Sequence, residues 1–432
     1  MTQYRAPRGT RDILPPGSAG WRRLTAIAED VARRYGYRAI ETPLFEQSAV
    51  FERGVGEATD IVEKELFRVS ARAEEGESWV LRPEATAGIV RAYIQHGMHA
   101  WHQPVKVALV GPMFRYDRPQ SGRYRQFWQW DVEAIGDAGP AIDAEILELG
   151  ARFYREVGLE GVEIRLNSIG DPACRPAYVA RLVEYFRGHE TSLPDLERRR
   201  LDTNPLRLFD SKDPAMAPLI ATAPAMADHL CTACADHFAS VRAHLDALGV
   251  RHRVDPSIVR GLDYYTRTTF EYYVTGREGQ QQAVGGGGRY DGLAELLGGR
   301  PTAGIGFALG LDRVALALDE AGRGGGSSAG PLAVVVGADP DDTATRLRLA
   351  TDLRAEGIAA AADLGRRKLG RQLEGAVRQE AHFAVIVGDE LGDGNVQLRD
   401  LLAGTQKLVP LADLGSNLRR ADASHHHGGE TR

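Results

Sequence analysis

The sequence predicts a large α+β domain built on an antiparallel sheet and carrying a helical insertion, followed by a small α/β domain with a mostly parallel sheet. Three observations lead there. Strand-like runs of antiparallel character fall at about 38–43, 79–82, 105–115, 126–136, 162–168, 267–274 and 281–285. Between about Cys174 and Asp255 the chain turns Leu/Ala/Arg-rich with helical spacing. After the Gly/Ser-rich stretch "GRGGGSSAG", strands and helices alternate.

The elements follow in order. "SAGWRRLTAIAEDVARRYG" reads as a helix, with Ser18 a candidate cap and Gly36 its end. The strand runs and the insertion complete a unit over 1–322, and 322–330 is a flexible connector. "PLAVVVG" then reads as a buried strand, and "DDTATRLRLATDLRAEG" as a helix ending at Gly357. Strand "IAAAADL", helix "RRKLGRQLEGAVRQE" and strand "HFAVIVG" complete a small domain over 331–415. The tail 416–432 is expected to be disordered, its histidines binding metal only adventitiously.

Composition narrows the function classes. A 432-residue chain with 43% hydrophobic and 26% charged residues is a soluble globular type, too long for one ordinary core. No apolar run approaches the roughly 20 residues that cross a bilayer. The N-terminus lacks the apolar stretch of a secretory signal, and three cysteines make no disulfide framework, which suits a cytoplasmic location. With a net charge of −6, any site for a polyanion has to be local.

Positive charge is concentrated in "GPMFRYDRPQSGRYRQFWQWDVE", with arginines at 115, 118, 123 and 125 around a Pro-Gln-Ser-Gly turn. In the strand that follows, Phe127, Gln129, Asp131 and Glu133 share one face, and Trp128, Trp130 and Val132 the other. The apolar face packs on the protein, and the mixed face is suited to a polar ligand. "LRPEATAG" places Glu84 and Thr86 two apart; "IVRGLDYYTRTTFEYY" supplies Arg260, Asp263, Tyr264 and Tyr265. "VGGGGRYDGL" reads as a four-glycine turn delivering Arg289, Tyr290 and Asp291, and "GIGFALGLDRVALAL" leads into a helix with Arg313 near its start. There is no P-loop, and no second strand and acidic residue follow "GIGFALG" as a dinucleotide site requires. Phosphate recognition is therefore left to arginine forks.

These segments resemble a class II aminoacyl-tRNA synthetase of the histidyl-tRNA synthetase family. "RRYGYRAIETP" is similar to motif 1, "FRYDRPQSGRYRQFWQWDVE" to motif 2 and "GIGFALGLDRVALAL" to motif 3. "VRGLDYY" and "GGGGRYDGL" resemble the two histidine signatures, and the likeness runs from about 6 to about 414. It implies activation of L-histidine with ATP and Mg2+, transfer to the 3′ end of tRNA-His, anticodon binding by the C-terminal domain, and a homodimer with Pro43 at its interface. Arg115, Asp117, Arg123, Phe127 and Arg313 would bind ATP. Glu84, Thr86, Gln129, Glu133, Tyr264, Tyr265 and Tyr290 would bind histidine, with Glu133 and Tyr265 reading the imidazole. Arg260 would act catalytically with Arg115 at the α-phosphate, touching histidine too, and Gln120 and Ser121 would meet the tRNA acceptor end. Asp117 stands where the family usually has glutamate, one methylene longer. The alternative is a paralogue without the reaction, the regulatory subunit of ATP phosphoribosyltransferase, whose relatives usually lack the C-terminal domain.

Two further segments have competing readings. "RRKLGRQ" is either a phosphate contact or a solvated helix start. "HLCTACADHF" offers His229, Cys231, Cys234 and His237 as metal ligands, yet its spacing in a helical context does not readily close a tetrahedron. The default is cysteines of a plain helix, and no metal is assigned to protein side chains.

Overall fold

The computed structural model describes residues 4–56, 59, 61–69, 78–211, 213–258, 264–275, 283–323, 330–339 and 341–427. Helix α1 (Gly17–Arg34) buries Leu24, Ala28, Val31 and Ala32, a stripe at three- and four-residue spacing. It stops where Gly36 takes φ +80°. It starts at Gly17 with no side-chain cap, so Ser18 lies inside the first turn and does not cap it.

Strands β1 (Arg38–Ala39) and β2 (Phe45–Gln47) precede α2 (Ser48–Val55); β3 (Arg68–Val69) and β4 (Trp79–Leu81) precede α3 (Thr86–Gln95). The long hairpin β5 (Val105–Phe114) and β6 (Gln126–Ile135) leads to α4 (Pro140–Glu156) and β7 (Val162–Ser168). The helical stretch holds α5 (Arg175–Arg187), α6 (Asp195–Thr203), α7 (Ala217–Ala221) and α8 (Thr232–Ala247), and then a strand that the sequence did not signal, β8 (His252–Val254). Next come β9 (Thr266–Val274), β10 (Ala283–Arg289), α9 (Leu293–Leu296), β11 (Gly304–Gly310) and α10 (Leu311–Glu320).

Eight strands form the main sheet in the order β1-β5-β6-β11-β10-β9-β7-β8. Only the two edge pairings, β1 with β5 and β7 with β8, are parallel. Trp130, Val132, Phe270, Tyr272 and Phe307 point from one face into a core shared with α1, α4 and α8. The opposite face, beneath α2, α3 and α9, is the one with polar residues. Helix α8, counted with the insertion in the sequence, is part of the first core through Phe238, Val241 and Leu245.

The four-glycine segment is not a turn. It is β10, in the interior of the sheet between β11 and β9. Its composition lacks every ordinary strand preference, but the backbones approach too closely for side chains: a Cβ at Gly287 would lie 2.0 Å from the Gly306 carbonyl oxygen. At its end Arg289 is fully buried and serves structure. Its guanidinium donates to Asp143 (2.5 Å) and Asp291 (2.9 Å), and Asp143 also accepts from Thr268 (2.7 Å). Removing one member of such a buried pair leaves the other charge stranded. Arg289→Ala should destabilise the large unit by about 3–5 kcal/mol, read as a lower urea midpoint. A loss below about 1 kcal/mol would contradict this reading.

The chain divides into two compact units, Met1–Gly326 and Ser327–Arg432. The connector expected at 322–330 lies mostly outside the described residues. The second unit has β12 (Ala333–Gly337), α11 (Thr343–Ala355), β13 (Ala360–Ala362), α12 (Leu369–Arg378), β14 (Phe383–Val387), β15 (Asn395–Asp400), β16 (Gln406–Pro410) and α13 (Leu414–His427). Strands β13, β12 and β14 form the expected parallel core, and β15 and β16 extend it antiparallel. The expectation of a disordered tail from 416 fails over Leu414–His427. That segment is a helix because Leu414 and Leu418, one turn apart, are both buried in this domain's core.

Candidate active site

One cavity of about 240 Å³ opens on the polar side of the large sheet. Strand β6 runs along it. Phe127 and Gln129, two apart and so on one face of that strand, are its residues that line the cavity.

Arg115, Asp117 and Arg123 reach the cavity from the loop between β5 and β6, and Arg313 from the first turn of α10. The Arg115 Nε donates to the Pro83 carbonyl (2.8 Å), which fixes the guanidinium plane, and its carbon stands 5.2 Å from the centre of the Phe127 ring. Arg313 donates to the Ala283 carbonyl (3.0 Å). Three guanidinium groups with no P-loop present a preset, multiply positive face, the arrangement that binds a bent polyphosphate. Asp117 pairs with the Arg123 Nε at 2.6 Å. The short carboxylate is thus engaged within the loop, which answers where the missing methylene leaves it. Of the other two arginines of the hairpin, Arg125 stacks 3.9 Å from the centre of the Tyr116 ring and Arg118 is exposed; neither lines the cavity.

The remaining wall is made of buried carboxyl, amide and phenol groups. Glu84 accepts from the backbone N–H groups of Thr86 and Ala87 (both 2.9 Å), closing the first turn of α3. Gln129 is buried, and its Oε1 has no hydrogen-bond partner among the described residues, as suits an acceptor awaiting a ligand donor. Tyr264, Tyr265 and Tyr290 line the same wall, with Tyr264 and Tyr265 edge to face at 4.7 Å. Glu133 lies behind it, not on its surface. Its carboxyl accepts from the Thr86 hydroxyl (2.6 Å) and the Tyr290 phenol (2.5 Å), two groups that do line the cavity. Burial lifts it to about 8, against the Thr86 and Tyr290 hydrogen bonds, with the Glu84 charge adding to the rise. A Cβ at Gly306 would lie 1.7 Å from the Glu133 Oε2, so the glycine is what admits this carboxyl.

Not every expected residue joins the cavity. Arg260 and Asp263 lie outside the described residues. Gln120 and Ser121 are exposed at the tip of the hairpin, and Pro43 is exposed beside Leu44 and Phe45. Other members went unsignalled. Glu271 lines the wall, and its position as the lone carboxylate in "TRTTFEYYV" was a cue. Asp312 accepts from the Trp128 backbone N–H (2.7 Å) and from Arg11 (2.6 Å), tying the N-terminal segment to the start of β6. Arg82 is buried and donates to Thr42 and to the Pro112 carbonyl, linking the residue before Pro43 to the strand that carries the arginine loop. Asp131, on the site face of β6, has both oxygens buried with no hydrogen-bond partner among the described residues. Burial holds it well above the usual carboxylate range, with Glu133 and Glu84 adding to the rise.

Residues 9–170 and 206–314 match the family description of histidyl-tRNA synthetase. The chain belongs to this family. Residues 332–421 match an anticodon binding domain. Curated relatives agree over nearly the whole length. A histidine–tRNA ligase of Desulforudis audaxviator is 47% identical over 96% of this chain and 98% of its own, and one of Saccharopolyspora erythraea is 44% identical over 98% and 99%. The apo S. aureus histidyl-tRNA synthetase structure superposes with TM-score 0.81 at 34% identity, covering 96% of this chain and all of that one.

In the second unit the three arginines of the basic cluster each pair with a carboxylate. Arg366 pairs with Asp341, Arg367 with Asp363 at 2.7 Å, and Arg371 with Glu374 at 2.9 Å, while Gln372 is buried against Gly337. The metal quartet weighed from the sequence does not assemble. His237 is spent on Asp143, at 3.0 Å, and His229 packs on Tyr178.

Proposed function

We propose that this chain activates L-histidine with ATP and transfers the histidyl group to the 3′ end of tRNA-His. The observation that carries this is one cavity uniting three guanidinium groups with a buried carboxyl–tyrosine wall. Histidine's carboxylate, already ionised, attacks the α-phosphorus. A carboxylate oxygen–phosphorus bond forms, the bond to the β-phosphate oxygen breaks, and pyrophosphate leaves. No general base is needed; the chain has to align the reactants and offset the developing charge. Arg115 does so at the α-phosphate with Arg260, Arg123 holds the bent triphosphate, and Arg313 the γ-phosphate. Phe127 takes the adenine.

Glu84, Thr86 and Gln129 orient the amino and carboxylate groups, while Glu133, Tyr264, Tyr265 and Tyr290 favour an imidazole over an apolar side chain. Glu271, a carboxylate of the wall, would hold the Mg2+ bound with ATP, which would supply neutralisation of phosphate charge. Gln120 and Ser121 extend toward the acceptor end of the tRNA, whose terminal hydroxyl attacks the histidyl carbon and releases AMP. The C-terminal domain binds the anticodon. The exposed Pro43-Leu44-Phe45 edge is assigned to a second copy of the chain. No helix among the described residues is long and apolar enough to cross a membrane, and we place the activity in the cytoplasm.

The regulatory-paralogue reading is weaker. The ATP phosphoribosyltransferase regulatory subunit/histidyl-tRNA synthetase of Bacillus halodurans superposes with TM-score 0.61 at 22% identity, a likeness of fold alone. A charging assay with labelled histidine and a tRNA-His transcript tests the proposal. Acid-precipitable histidine should accumulate with ATP present; activation without transfer would overturn the second half of the reaction.

A further inference from the structure

All three cysteines of the chain converge at one point in the large unit. Cys174 immediately precedes α5, Cys231 immediately precedes α8, and Cys234 lies in the first turn of α8. Asp171, in the loop after β7, completes the group. One ligand atom from each of the four residues lies within 4.8 Å of the others, and the Cys174 Sγ is 3.7 Å from the Asp171 Oδ1. Cys174 and Cys234 are buried, Asp171 and Cys231 half-buried.

We propose that Asp171, Cys174, Cys231 and Cys234 form a structural zinc site. Three sulfurs and one carboxylate oxygen are a complete tetrahedral set, and with zinc–sulfur bonds near 2.3 Å the group closes by a contraction of about 1 Å. A disulfide would use two of the sulfurs and leave the third thiol against a carboxylate, with no account of why four ligands meet. Two helices of ordinary length begin here, and their positive ends favour thiolate. The carboxylate is already aimed. Arg267 holds the Asp171 Oδ2 at 3.2 Å, and the Ala173 backbone N–H meets Oδ1 at 3.0 Å on the side of the sulfurs. Gly170 has φ +66°, and a Cβ there would lie 2.7 Å from the Cys174 Sγ, so the loop admits the cluster only with glycine at this position. Asp171 and Cys174 fall between the two segments of the family match, and Cys231 and Cys234 fall within the second.

The site would brace the histidine pocket. Arg175, next to Cys174, donates to the Tyr265 carbonyl (2.6 Å), and Arg267 bonds both Asp171 and, through its backbone N–H, the Gly170 carbonyl (2.7 Å). Zinc would therefore fix α5 and α8 to the segment that places Tyr264 and Tyr265.

The test uses full-length protein from zinc-supplemented cells, dialysed and analysed by inductively coupled plasma mass spectrometry. The expected content is about one zinc ion per chain. Cobalt exchanged into the site should give thiolate charge-transfer bands and tetrahedral d–d bands, and metal removal should lower Tm and raise KM for histidine. Cys231→Ser and Asp171→Asn, chosen because both residues are half-buried, should each weaken zinc retention. Protein that retains no metal, gives no cobalt–thiolate band and titrates as three free thiols overturns the proposal. So does a Cys231–Cys234 disulfide in the freshly purified protein. Metal content is read without activity, so its failure is distinguishable from failure of the histidine reading.

Discussion

Arg115→Ala is expected to slow histidyl-adenylate formation about a thousandfold, with KM for histidine changed far less. The reason is geometric. Its Nε is held by the Pro83 carbonyl and its plane by Phe127, so the remaining N–H groups project into the cavity as a preset fork. Such donors act mainly on charge that develops at the phosphorus, so the loss belongs in kcat. Arg115→Lys restores a charge but not the planar fork, and should recover only a small part of the rate. Single-turnover adenylation, with folding checked by circular dichroism, separates the outcomes. A loss below about tenfold would mean that Arg115 is not at the reacting phosphate.

Glu133→Gln should produce opposite effects on activity and stability. The carboxyl titrates at about 8 in the fold against 4.5 as a free group. The folded chain therefore holds a proton that the unfolded chain has lost between those values, and the contribution to stability falls as pH rises through this window. Below the lower value both states are protonated and nothing is lost. Glutamine mimics the protonated acid without titrating. The variant should match the parent near pH 5 and exceed it at pH 8 to 9, by a few kcal/mol at most. Activity moves the other way. From behind Thr86 and Tyr290 this carboxyl can ionise and offset a positive charge on an imidazole bound in the cavity, a response that glutamine cannot make. We expect kcat/KM for histidine to fall about a hundredfold or more. Parallel melting curves for variant and parent across pH, or unchanged histidine kinetics, would contradict this account.

Much of this was legible in the sequence because the carriers of charge sit on regular elements. The alternation along β6 assigned Trp130 and Val132 to the core and Phe127 and Gln129 to the site, and all four are so placed. Other features were hidden for physical reasons. The run at 281–285 caught only the start of β10, and its glycines were read as a turn because close backbone approach, not side-chain preference, makes them a strand. The two-way hydrogen bonding of Glu133 and the unpartnered Asp131 depend on neighbours far along the chain. Helix α13 follows from a two-leucine stripe too short to outweigh the polar tail around it. The cysteine cluster was half visible: the pair at 231 and 234 stood out, while Asp171 and Cys174, some 60 residues earlier in the chain, join it only through the tertiary fold.

ATP–pyrophosphate exchange, run with each of the twenty amino acids on the same folded preparation, tests the central claim most directly. Exchange should depend on histidine and be negligible with the others. Folded protein that shows no histidine-dependent exchange, or that prefers another amino acid, would contradict it.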